Sequence, residues 1–70
     1  MNLAEALPAE QRRVREVLGH YEETQRLCPQ ANCRFAIAMI KDSLARAERA
    51  AAAGDVIEMM RAYEDLKATE

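Results

Sequence analysis

Only four residues of this seventy-residue chain are strong helix breakers, and they stand at Pro8, Gly19, Pro29 and Gly54. The stretches between them are rich in Ala, Leu, Glu, Arg and Met, which enter a helix at least cost. The pattern therefore reads as all-α. Pro8 has its φ already set for a first helical turn, and Glu10 suits the positive end of a helix dipole. Val14, Val17, Leu18 and Tyr21 then recur at helical spacing, which predicts a first helix over about 8–26 and flexible residues 1–7 before it. Gly19 lies inside that helix at a cost of about 1 kcal/mol relative to Ala. Either a neighbouring helix comes close there, or the weakness is simply tolerated.

Cys28-Pro29 stops the first helix, because the residue before a proline is pushed out of the α region, and Asn32 can cap a second helix beginning at Cys33. Along it Cys33, Ile37, Ile40, Leu44, Ala47 and Ala51 alternate by fours and threes, a seam for another helix. The run Ala50 to Ala53 allows a close backbone approach near the end of this helix, about 33–53. Gly54 can take the left-handed conformation and Asp55 can cap a third helix over about 55–67. Val56, Met59, Tyr63 and Leu66 make one stripe on it, and Ile57 and Met60 flank that stripe. Residues 68–70 are expected to be flexible. The result is a small antiparallel helical hairpin with a third helix, one domain over 1–70.

A core of this size rarely supplies more than about 3–5 kcal/mol, so a reinforcing device is expected. Two cysteines and one histidine cannot fill the four-ligand shell of a structural zinc. Oligomerisation remains, and the surplus of apolar side chains on the second and third helices predicts a homodimer. A formal charge of −2 excludes the domain-wide basic excess that holds nucleic acid by phosphate neutralisation. No apolar run approaches the roughly 18 residues of a membrane span, and no targeting signal is visible, which points to the cytoplasm.

Phosphate loops, nucleophile elbows and metalloprotease helices are all missing from the sequence, so no enzyme, cofactor or metal site is expected. His20, Cys28 and Cys33 are the one set with metal or nucleophile chemistry, and their spacing is a weak signal in a cytosolic chain. Arg12, Arg13 and Arg15 could meet phosphate, but Glu10 and Glu16 lie among them and can pair along the helix. Glu22 and Glu23 with Asp55, Glu58, Glu64 and Asp65 make a larger acidic collection, suited to a basic partner such as a DNA-binding domain. Met39, Met59 and Met60, with Phe35 and Ile57, either fill core or offer an adaptable apolar surface to a protein. Ile57, Glu58, Met59, Met60, Glu22, Glu64 and Asp65 are the candidate partner-binding residues.

The segments Val14-Arg-Glu-Val-Leu-Gly-His-Tyr-Glu-Glu, Phe35-Ala-Ile-Ala-Met-Ile and Ala53-Gly-Asp-Val-Ile-Glu-Met-Met-Arg-Ala-Tyr-Glu-Asp-Leu resemble short helical proteins from the early regions of Mu-like Pseudomonas phages and prophages. The similarity covers most of residues 7–67 and extends to phage quorum-sensing anti-activators. The resemblance implies a helical homodimer that binds a LuxR-type transcription regulator, and also a pilus-assembly ATPase, in the host cytoplasm; the charge balance and the short apolar runs leave no nucleic acid or membrane partner expected. It carries no catalytic motif over. The chain departs from the pattern at Cys28 to Cys33, where such proteins would have a Gly-Pro-Ala-Gly-like connection. A phage DNA-binding or replication accessory protein, using Arg12, Arg13 and Arg15 across a dimer, is the competing reading.

Overall fold

The computed structural model describes residues 2–69, and among them it contains three α-helices and no strand: α1 (Leu3–Leu27), α2 (Arg34–Ala53) and α3 (Val56–Lys67). Ion pairs from Arg15 to Glu48 and from Glu22 to Lys41 place α1 and α2 antiparallel. Arg13 Nη2 donates to the Leu66 carbonyl at 2.8 Å, so α3 runs parallel to α1 and its end stands level with Arg13. The three helices share one core of Leu7, Val14, Ile40, Leu44, Ala47, Ala62 and Leu66, with Leu3, Val17, Leu18, Tyr21, Met59 and Tyr63 half-buried against it.

The first helix begins five residues before the sequence predicts. Asn2 is its cap, with Oδ1 accepting from the Glu5 N–H at 2.9 Å, and Pro8 lies inside the helix. A proline there removes the bond to the Ala4 carbonyl and costs on the order of 3 kcal/mol in a helix interior. Two features oppose that cost. Ala4 is exposed, so water can reach its carbonyl, and the added turns carry Ala6 and Leu7 into the core, Leu7 with 1% of its surface exposed. The expectation of flexibility over 1–7 therefore fails for Leu3–Leu7, while Met1 lies outside the described residues. At the other end, Ala68 closes α3 and the Thr69 hydroxyl donates to the Asp65 carbonyl. Glu70 lies outside the described residues.

Cys33, and not Asn32, precedes the first residue of α2, and no side chain caps that end. The Cys33 N–H instead donates to Gln25 Oε1 of α1 at 2.7 Å, and Gln25 Nε2 donates to the Pro29 carbonyl at 3.2 Å. One side chain thus ties both ends of the loop to the helix before it. The second turn follows the sequence expectation: Gly54 has φ 68°, and Asp55 Oδ1 accepts from the Glu58 N–H at 3.2 Å.

On α2, Ile40, Leu44 and Ala47 are buried as the seam requires, and Cys33 and Ile37 are half-buried. Ala51 is exposed and Ala50 is buried in its place. At this end α3 packs on the flank of α2, and a straight helix of 3.6 residues per turn does not hold a strict four-three alternation. The seam is the core of a single chain, so Ile40, Leu44 and Ala47 are covered before any second copy arrives. A Cβ added at Gly19 meets nothing within 4 Å, so no helix comes close there.

Candidate protein-binding surface

Helix α3 is amphipathic with three distinct sides. Ala62 and Leu66 face the core, with Met59 and Tyr63 half-buried beside them. Met59, expected on the binding surface, is thus turned to the core. Away from the core, Val56, Ile57 and Met60 leave 60%, 64% and 56% of their surfaces exposed. Val56, on the apolar stripe read from the sequence, stays exposed beside Asn2, Leu3 and Ala6. Asn2, Leu3, Ala6, Val56, Met60, Tyr63 and Glu64 line an open groove of about 470 Å³.

Glu58 and Asp65 lie on the third side, toward α2, in a groove of about 590 Å³ that also holds Arg46, Arg49, Asp55 and Arg61. Its carboxylates are not free acidic bait. Glu58 pairs with Arg61 at 2.9 Å, Asp65 with Arg46 at 3.6 Å, and Asp55 caps α3. Glu64 keeps company with Met60 in the apolar groove. Glu22 is on α1, paired with Lys41 at 3.6 Å, and does not join the α3 surface. The structure therefore brings together Ile57, Met60 and Glu64 at successive helical turns of one side and Glu58 with Asp65 on the next, and it separates Met59 and Glu22 from them.

The arginines of α1 are divided in the same way. Arg13 Nε binds Glu10 at 2.6 Å and Arg13 Nη2 holds the C-terminal end of α3, while Arg15 reaches Glu48 at 3.2 Å. Those pairings take two of the three cations expected to make a phosphate-contacting edge. Cys28 is an exposed free thiol and Cys33 a half-buried one. Cys33 shares a shallow groove of about 310 Å³ with Val17, His20, Tyr21 and Thr24. Among the described residues, no three His, Cys, Asp or Glu side chains are grouped so as to hold a metal ion, and no helix is long and apolar enough to cross a membrane.

Leu27 and Phe35, 68% and 76% exposed, flank the α1–α2 connection at the opposite end from Val56 and Met60, and Met39, 51% exposed, lies further along α2 beside Asp65, Ala68 and Thr69. Sequence reasoning missed Gln25, whose side chain bonds across eight residues, because a single exposed-looking glutamine carries no pattern. The Asn2 cap was missed as well, although an asparagine followed three residues later by Glu5 is a helix-start signature. Comparison of the chain with family models, with curated proteins and with solved structures finds no match.

Proposed function

We propose that this chain is a phage-encoded protein-binding inhibitor that occludes a host regulator by stoichiometric contact, with a LuxR-type transcription activator as its target. The observation that supports this reading most directly is the exposed trio Val56, Ile57 and Met60 on one side of α3, with Glu64 beside it. A large apolar contact that excludes water holds a complex together, while charges at the rim steer its formation. Methionine and isoleucine on a short exposed helix supply the first, and Glu64 supplies the second toward a basic DNA-binding surface. The choice of a LuxR-type activator rests on the resemblance of the sequence to phage anti-activators. The same resemblance offers a pilus-assembly ATPase as a second target.

The test is competition with operator DNA. The inhibitor is expected to displace a fluorescent operator from the purified activator, Glu64→Lys to slow association, and Met60→Ala mainly to speed dissociation. A ternary complex that forms equally well on operator-bound activator would sink the occlusion reading. Direct binding of the operator by the inhibitor alone, weakening steeply with salt, would support the DNA-binding alternative instead.

A further inference from the structure

Each pair of helices leaves a groove at its junction, and charge treats the three grooves differently. Arg15 and Lys41 pair across α1 and α2 with Glu48 and Glu22, and Arg46 pairs across α2 and α3 with Asp65. Among the described residues no ion pair crosses from α1 to α3, where the Arg13 bond to the Leu66 carbonyl closes the far end of the junction. Short of that bond, the groove of Leu3, Ala6, Val56, Met60 and Tyr63 runs on past Ala6 and Tyr63 into a second hollow of about 260 Å³ bordered by Ala9, Glu10 and Arg13. The two make one trough along α1 from Asn2 to Arg13. At 1.5 Å per residue it is about 16 Å long, three helical turns. Its α1 wall offers the small side chains of Ala6 and Ala9, which let another backbone come close, and its α3 wall offers Val56, Met60 and Tyr63 for apolar contact.

We propose that this trough receives a basic amphipathic helix of about three turns from a protein partner, packed between α1 and α3 as a fourth helix. This rests on the protein-binding reading and names what the partner presents. Shape selects the helix. A straight trough between two parallel helices, small on one wall and apolar on the other, accepts a row of side chains spaced by threes and fours. Charge selects the basic one. Glu64 lines the trough and Glu5 stands on the flank of α1; both are exposed, and neither is in an ion pair among the described residues. The nearby cations are engaged: Arg13 by Glu10 and the Leu66 carbonyl, and Lys67 with its Nζ 5.9 Å from the Tyr63 ring centre. The charge left over at the rim is negative, so lysine or arginine flanking the partner's apolar row is attracted. A second copy of this chain, with a net charge of −2, matches that rim less well. The first turns of α1, expected to be flexible, thereby become one wall of the site.

The probe is a fluorescein-labelled, side-chain-stapled synthetic helix of about three turns with leucines along one side and lysines on its flanks, compared with a counterpart carrying glutamate for lysine. The lysine peptide should bind the wild type, move the amide resonances of Leu3, Ala6, Ala9, Val56, Met60 and Tyr63, and exceed its counterpart by roughly tenfold, less so as salt is added. Ala9→Arg, at an exposed position, should keep the helical circular dichroism and weaken the peptide by roughly tenfold or more, because it fills the trough and repels the lysines. Glu64→Lys should remove most of the preference for lysine. Equal binding of the two peptides, shifts centred on another groove, or an unchanged affinity in Ala9→Arg would overturn the proposal. So would movement of the same resonances on simple dilution without peptide, which would make a second copy the occupant. Operator displacement separates this from the regulator reading. A wild type that takes up the lysine peptide but never displaces operator supports the trough and removes the regulator, whereas displacement that Ala9→Arg leaves intact removes the trough as the regulator's site.

Discussion

Two side chains carry more of this small structure than their chemistry suggests. Gln25 holds the Cys33 N–H and the Pro29 carbonyl at once, so it substitutes for the missing cap of α2 and ties down a loop that has little apolar packing. Gln25→Ala should cost about 1 kcal/mol, the net worth of such hydrogen bonds, and should raise amide exchange selectively over the loop. Uniform exchange with an unchanged melting curve would show that the clamp contributes nothing. Gly19 is the opposite case. Its Cβ position is open and its backbone is helical, so Gly19→Ala should stabilise the chain by up to about 1 kcal/mol in thermal unfolding. A loss of stability would mean that a neighbour in the assembled protein uses the space.

At the scale of elements, the second turn was readable because its signals are local: glycine supplies the left-handed residue and the aspartate after it supplies the cap, within two positions. Periodicity was equally reliable at Val14, Ile40, Leu44 and Leu66, all buried. It failed where burial depends on the neighbour's length. Nothing in the α3 stripe reveals that α1 covers Tyr63 and leaves Val56 exposed, and nothing around Cys33 reveals that α3 stops short of it. The start of α1 failed for another reason: Pro8 is a strong local signal for a first turn, and the packing of Leu7 against the core outweighs it. Leu7→Ala is accordingly expected to destabilise the protein by about 2–5 kcal/mol in denaturant unfolding, the range for a buried leucine. A change within a few tenths would return residues 1–7 to the status of a loose leader. The candidate surface was legible in part, since Ile57, Met60 and Glu64 share a side, while Met59 and Glu22 belong elsewhere because a list of residue types cannot rank which of two adjacent methionines faces inward.

For the whole molecule, the number of helices matters less than which of their junctions stays open. Ion pairs cross from α1 to α2 and from α2 to α3, while the α1–α3 junction keeps an apolar trough whose walls come from opposite ends of the chain. If a helix of the regulator lies there, the first turns of α1 serve the core with one side and the partner with another. Stability and binding then separate along a few residues of one helix. Leu7→Ala should lower the apparent affinity for a LuxR-type activator only by the fraction of chains it unfolds. Ala9→Arg should leave the melting curve unchanged and weaken the complex by roughly tenfold, since the substitution meets the partner and not the core. The comparison needs only a titration of labelled activator with each variant, with the folded fraction measured alongside. Should Ala9→Arg bind the activator as tightly as the wild type, the regulator meets a part of the molecule other than the trough.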